Sequence, residues 1–158
     1  MSEPIAGSSS APTAEVDLEG QHDHAVDEKG RVSIPASFRA ALALASGDEV
    51  VITRHLKDRC LRIYTEAAWA LFKGRVEADR TPVGNALRRV VKGSARVARV
   101  DRLGRVLLPS ALRQFASLDG RCYVVGQGHC MEIWDVAIWE ETHHPDRYGE
   151  LDLSDYDM

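Results

Sequence analysis

The chain has 158 residues, 44% of them hydrophobic and only 6% aromatic, and a formal net charge of −4 at pH 7. That length holds one compact domain or two small ones around a shared core, which must be built mostly of Val, Leu, Ile and Ala. No stretch approaches the ~18 consecutive apolar residues of a membrane helix, and the acidic N-terminus lacks the apolar region of a secretory signal, so a cytoplasmic protein is expected.

Residues 1–17, rich in Ser, Ala, Pro and Thr, are expected to be a disordered extension. His24-Ala-Val26 reads as the end of a strand and Arg31-Val-Ser-Ile34 as the next one, with suitable β-branched residues. Between them Asp27-Glu-Lys-Gly30 is turn chemistry: the Asp bonds backbone N–H groups ahead of it, and Gly accepts a positive φ. Pro35 stops the strand and opens a helix predicted over Ala36 to Ala45, ended by Ser46-Gly47, with Phe38 and Leu42 on its buried face. Glu49 to Thr53 and Leu61 to Tyr64 predict a hairpin, and Thr65 caps a helix carrying Trp69. Thr81-Pro82 to Gly93 has a cap, a proline at the first helical position and a terminal glycine. Its apolar stripe is Val83, Leu87, Val90 and Val91, with Arg88, Arg89 and Lys92 off it.

The chain then repeats itself. Asp27-Glu-Lys-Gly30-Arg31-Val-Ser-Ile-Pro35 returns 74 positions later as Asp101-Arg-Leu-Gly104-Arg105-Val-Leu-Leu-Pro109. Arg39 recurs as Arg113 and Val50-Val51 as Val124-Val125. From Cys60 to Trp69 the offset falls to 70: Ile63-Tyr64 becomes Ile133-Trp134, and Trp69 becomes Trp139. The first copy therefore carries four extra residues near His55 to Arg59, as expected of a loop. The second copy predicts a helix from Pro109 to Ser117, a hairpin of Arg121 to Gly126 with Met131 to Trp134, and a helix capped by Asp135. The organisation expected is an extension (1–17), a first repeat (18–80), a connecting helix (81–93), a second repeat (94–142) and an acidic tail (143–158). A half of four short strands cannot bury both faces of its sheet, so two halves are expected to pack as one pseudo-symmetric, barrel-like unit, an internal dimer.

Total charge hides a polar arrangement. Residues 18–134 hold 19 Lys and Arg against 13 Asp and Glu, whereas residues 135–158 hold one Arg against eight acids. The most basic run is Arg88, Arg89, Lys92, Arg96, Arg99, Arg102 and Arg105, opposed only by Asp101. A basic centre between acidic ends is the electrostatic footprint of a nucleic-acid binder. Arg31 and Arg105 stand at hairpin tips, from which an Arg reaches phosphate oxygens or the O6 and N7 of guanine. Asp27, Gly30, Asp101 and Gly104 read as turn formers. Arg39 and Arg113 suit structural ion pairs as well as DNA contact, and Arg88, Arg89 and Lys92 suit phosphate or plain solvent. Trp69 and Trp139 read as packing residues.

The duplicated Asp-x-x-Gly-Arg-Val motif, with Gly20 and His24 before it and Glu132-Ile133-Trp134 and Trp139 after it, resembles the MraZ family. That family lies within the AbrB-like swapped-hairpin superfamily, and the resemblance spans about residues 18–140. It implies an α+β, β-rich fold of two tandem swapped-hairpin halves with flanking helices. It also implies a nucleoid-associated transcriptional regulator of the division and cell-wall gene cluster, usually its own operon, assembling into a ring homo-oligomer on short direct repeats of promoter DNA. The family's loops carry the DNA contacts, which maps that role onto Lys29, Arg31 and Arg105; Arg102, from the same basic hairpin, joins them. The N-terminal extension and the long acidic end depart from the family pattern.

Two other readings differ in kind. An antitoxin-type protein would use one such module for DNA and the acidic tail for a protein partner, although this chain has two modules. An enzyme would need more than His129-Cys130 or His22-Asp-His24, which lack an oriented base. Likewise, His22-x-His24 and His143-His144 fall short of a metal ligand set. Cys60, Cys122 and Cys130, with no close pairing, read as small buried apolar residues. No cofactor, metal or small-molecule substrate is expected.

Overall fold

The computed structural model describes residues 16–158, so the expected extension lies outside it apart from Val16 and Asp17. The first copy contributes β1 (Gln21–Ala25), β2 (Arg31–Ser33), α1 (Ala36–Ala41), β3 (Glu49–Arg54), β4 (Leu61–Thr65) and α2 (Glu66–Ala78). α3 (Pro82–Ala86) continues into a π-helical turn, Leu87–Lys92. The second copy contributes β5 (Arg96–Arg99), β6 (Arg105–Leu107), α4 (Ser110–Phe115), β7 (Arg121–Gly126), β8 (Met131–Asp135) and α5 (Val136–Thr142). The caps expected from sequence form: the side chains of Thr65 and Asp135 accept from the N–H groups of Ala68 and Ile138 at 3.1 and 3.0 Å.

The fold is α+β, and its strands pair across the repeat rather than within it. The main sheet runs β1-β7-β8-β4-β3-β5, antiparallel throughout. β1 of the first copy thus lies on β7 of the second, and β5 of the second lies on β3 of the first. The remaining strands, β2 and β6, form a separate two-stranded ribbon. Each copy has handed its first hairpin to the other. The unit is barrel-like in that ribbon and sheet enclose one core, but they remain two ladders rather than one closed cylinder.

The registers locate the pseudo-two-fold axis. Val32 pairs with Val106, its equivalent 74 positions on, and Arg62 pairs with Glu132, its equivalent 70 positions on. A dyad through an antiparallel ladder must pass between equivalent residues, so it crosses the ribbon at the first pair and the sheet at the second. Around it, the repeat supplies the core in matched pairs: Val26 and Val100, Ile34 and Leu108, Phe38 and Leu112, Ile63 and Ile133. The opposite face of the sheet is covered by α2, whose Trp69 and Phe72 pack on Tyr64 of β4, and by α5, whose Trp139 packs on Trp134 of β8. Both tryptophans expected to pack do so.

At the dyad on that outer face the two copies differ in sign. Arg62 Nε donates to Glu132 Oε2 at 2.8 Å, and Trp134 Nε1 donates to the other carboxylate oxygen at 2.9 Å. Glu132 is buried, so the ion pair and the indole together satisfy a charge that burial alone would penalise heavily.

The extra residues of the first copy form the β3–β4 loop. His55 Nδ1 accepts from the N–H groups of Lys57 and Asp58 at 3.1 and 2.9 Å. Arg59 reaches across to the carbonyl of Phe115 and the hydroxyl of Ser117, and the Arg54 guanidinium lies 3.9 Å from the centre of the Phe115 ring. The insertion therefore ties the first half to α4 of the second.

Two helices depart from expectation. α1 ends at Ala41, well short of the predicted Ala45, and α4 ends at Phe115 rather than the predicted Ser117. Ala43 takes φ +53° so that the Leu44 N–H can turn back to the Arg39 carbonyl at 2.9 Å, and Ser117 takes φ +55° for the matching Leu118 to Arg113 bond. This is the helix stop that glycine usually provides, made here by an alanine and a serine. Both are exposed, and a non-glycine residue in that region carries a steric cost. Ala43→Gly is expected to raise unfolding free energy by up to about 1 kcal/mol, read from urea denaturation, and Ser117→Gly by less, because it also removes the hydroxyl that Arg59 reaches. In the same assay Arg62→Met is expected to cost about 3 kcal/mol, because it strands the Glu132 carboxylate inside the protein.

Candidate nucleic-acid interface

The two Asp-x-x-Gly-Arg loops adopt one geometry. In the first, Asp27 Oδ1 accepts from the backbone N–H groups of Lys29 and Arg31, both at 2.9 Å, while Arg31 Nε donates to Oδ2 at 2.9 Å. In the second, Asp101 Oδ1 accepts from Leu103 and Arg105, and Arg105 Nε donates to Oδ2, again all at 2.9 Å. One carboxylate thus shapes the turn and holds the arginine that follows it. These hydrogen bonds, foremost those from the Arg31 and Arg105 backbones, keep both aspartates below the usual carboxylate range. A depressed carboxylate contributes stability that is present above its unfolded pKa and lost as pH falls through the folded value. The loops therefore stay stapled at neutral and mildly acidic pH and loosen only below the ordinary Asp range.

The glycines are required by what lies over them. Gly30 and Gly104 have φ of +86° and +80°, and a Cβ on either would fall 2.7 Å from Arg113 Nε or 2.4 Å from Arg39 Cζ. The arginine covering each loop comes from the other copy. Arg39 Nε donates to the Ile34 carbonyl at 3.0 Å and Arg113 Nε to the Leu108 carbonyl at 3.1 Å. Among the described residues neither forms an ion pair; they are braces that lock α1 and α4 against the opposite loop. Sequence reasoning left this role unassigned, and the only signal for it was the shared 74-residue spacing of Gly30 and Gly104 with Arg39 and Arg113.

The ribbon brings the loops together. Val32 and Val106 face the core, so Arg31, Ser33, Arg105 and Leu107 face outward, with Arg31 opposite Leu107 and Ser33 opposite Arg105. Arg105 Nη1 also lies 4.0 Å from Asp27 Oδ2, linking the two loops. Glu28, Lys29, Arg102 and Leu103 form the exposed tips. All four candidate cations, Lys29, Arg31, Arg102 and Arg105, thus stand on one two-stranded feature. Among the described residues the two tips carry cations with no ion-pair partner, and the two ribbon arginines are fixed by carboxylates.

The rest of the basic run is elsewhere. Arg88 Nη1 donates to the carbonyls of Val76 and Asp79 at 2.6 and 2.7 Å, closing the C-terminus of α2, and Lys92 pairs with Glu77. Arg99 pairs with Glu49 at 3.0 Å. Phosphate contact is therefore not needed to explain Arg88 or Lys92. His22 packs edge-on to Phe38 and His143 stacks on Trp139, ring centres 4.9 and 3.9 Å apart. The three cysteines are unpaired and buried; burial pushes each thiol up, that of Cys122 to about 12, which keeps them protonated and unreactive at neutral pH.

Comparison with known proteins bears on the whole of this arrangement. A family model described as "MraZ protein, putative antitoxin-like" matches residues 18–88 and 93–148. The transcriptional regulator MraZ of a Marinomonas species is 41% identical over 123 residues, 77% of this chain and 82% of the relative. That of Saccharophagus degradans is 40% identical over 124 residues, covering 77% and 84%. That of Coxiella burnetii is 35% identical over 138 residues, covering 86% and 91%. The solution structure of PHS018 from Pyrococcus horikoshii is 19% identical over 74% of this chain and 88% of that one, with a TM-score of 0.35, too low to bear on topology. With its duplicated motif, its exchanged hairpins and relatives matched over most of their length, the chain belongs to the MraZ family.

Proposed function

We propose that this protein is a sequence-specific transcriptional regulator that binds repeated promoter elements of its own operon, within the division and cell-wall gene cluster, as a ring homo-oligomer. One observation carries the reading: two loops of identical hydrogen bonding, each presenting cations, flank one two-stranded ribbon. A β-ribbon is one of the few protein elements that fits the major groove. An arginine whose Nε is held by a carboxylate keeps its remaining nitrogens in a fixed fork, suited to phosphate or to the guanine edge. Lys29 and Arg102 at the tips supply phosphate contacts, and Arg31 and Arg105 on the ribbon supply oriented ones. Several chains in a ring multiply these contacts, so single weak sites sum to avid binding on repeated elements. The reading needs no cofactor and no small-molecule substrate, and places the protein in the cytoplasm on the nucleoid. No helix among the described residues is long and apolar enough to cross a membrane.

A second reading has its own observation. The C-terminal tail exposes Tyr148, Leu151, Leu153 and Tyr156 among acidic residues, as a protein-binding segment would, which fits an antitoxin-type role. A small toxin-like reading frame beside the gene would favour it; division genes there favour the regulator.

Fluorescence anisotropy on the gene's upstream DNA against scrambled DNA, across a salt series, tests the proposal. The expected result is preference for the upstream DNA with a steep salt dependence. Lys29→Ala with Arg102→Ala should weaken binding to all sequences and lower the log–log salt slope by about 2, one contact's worth for each residue. Arg31→Ala with Arg105→Ala should abolish the preference for the upstream sequence. A folded wild-type protein that binds neither DNA at low salt would overturn the regulator reading.

A further inference from the structure

The two loops share a backbone but not a chemistry. Where the first copy has Glu28 and Lys29 at its tip, the second has Arg102 and Leu103, and where the first has Ser33 on its ribbon strand, the second has Leu107. Leu103 is 68% exposed and Leu107 56% exposed. Neither is needed to build its turn or strand. Leu103 serves the turn through its backbone N–H, bonded to Asp101, and the matching places in the first copy hold polar residues in the same geometry. Leu103 is thus an exposed apolar side chain at the tip of a mostly cationic hairpin, next to Arg102, where it would meet an apolar feature of a polyanionic partner.

Duplex DNA has one such feature within reach of a ribbon. The thymine C5-methyl group is the apolar mark of the major-groove edge. We propose that Leu103 is a specificity-determining residue that contacts thymine methyl groups in the major groove of the bound element; Leu107, opposite Arg31 at the far end of the ribbon strand, stands apart from it. The inference rests on the regulator reading above and deepens it. It divides the work between the loops: the first copy's tip supplies charge through Lys29, and the second supplies charge through Arg102 and base discrimination through Leu103. A leucine at the tip of a cationic hairpin is held against the base edge by the phosphate contacts on either side of it, so its apolar contact is made without a separate binding event.

The test removes the methyl without touching any hydrogen-bonding group. Each thymine of the upstream duplex is replaced in turn by deoxyuridine, and affinities are measured for the wild type and for Leu103→Ala, whose exposed position leaves the fold intact. At one or more positions the wild type should lose about fourfold in affinity, the equivalent of one buried methyl, and Leu103→Ala should show no loss there. Leu103→Lys, which installs the first copy's residue, should bind upstream and scrambled DNA more nearly alike, with a salt slope steeper by about one contact. If no deoxyuridine weakens the wild type, or if Leu103→Ala loses as much at the same positions, the assignment of Leu103 is wrong while the regulator reading stands. If the wild type does not distinguish upstream from scrambled DNA, both fail together.

Discussion

The exchange of one hairpin between the two halves is the constraint on which the rest of the molecule depends. Without it, each half would leave β3 or β7 with an unpaired edge and the ribbon strands β2 and β6 without partners. With it, β2 and β6 meet at the dyad, and their meeting sets the spacing of the two loops. The arginines that cover Gly30 and Gly104 complete the exchange: each loop is shaped by its own aspartate and roofed by a side chain from the other half. The candidate interface cannot form in one copy alone, because half of what holds each loop belongs to the other.

Having both halves in one chain removes a restriction that a symmetric dimer would face. In a homodimer the residue on the axis meets itself, so a charge there would meet a like charge. Here the first copy places Arg62 on the axis and the second Glu132, and an ion pair forms where symmetry would have forced repulsion. The buried carboxylate also accepts from Trp134, whereas the matching position in the first copy is Tyr64. The same freedom shows in the β3–β4 loop, where four extra residues let Arg54 and Arg59 brace α4 with no counterpart in the second copy. It shows again at the loop tips, where Lys29 and Leu103 occupy equivalent places. Covalent linkage thus allows complementary halves rather than identical ones, at the fixed local concentration that a tether provides.

Much of this was legible in the sequence, and what was not has physical reasons. Strands, turns and caps could be read because they rest on local chemistry: Asp27 and Asp101 at their turns, Thr65 and Asp135 at their helix starts. The ends of α1 and α4 could not. The stop is a left-handed residue, and Ala43 and Ser117 carry no sign of that conformation; Leu44 and Leu118 enforce it by packing against the core. The fates of the basic residues were also hidden. Arg88 and Arg105 lie in one run of positive charge, yet one closes a helix and the other faces outward from a ribbon. Which of the two an arginine does depends on carbonyls and carboxylates brought near by the tertiary fold, and local spacing holds no record of them.

The stapled arginines raise a question of balance, since each aspartate cancels a charge that would otherwise attract a polyanion. Among the described residues around the loops, six cations, Lys29, Arg31, Arg39, Arg102, Arg105 and Arg113, stand with three carboxylates, Asp27, Glu28 and Asp101. The surface therefore stays positive after the cancellation. At physiological salt the Debye length is ~8 Å, so this local balance governs a contact more than the chain's net charge of −4. What the aspartates remove in long-range attraction they return as order. A free arginine must surrender most of its rotamer freedom, up to ~2 kcal/mol, to make an oriented contact; Arg31 and Arg105 have already surrendered it in folding. Under the proposed function, attraction and discrimination would thereby fall to different residues: the exposed tip cations would draw a duplex in without regard to sequence, and the restrained ribbon arginines would respond only to a partner whose groups stand where their fork already points.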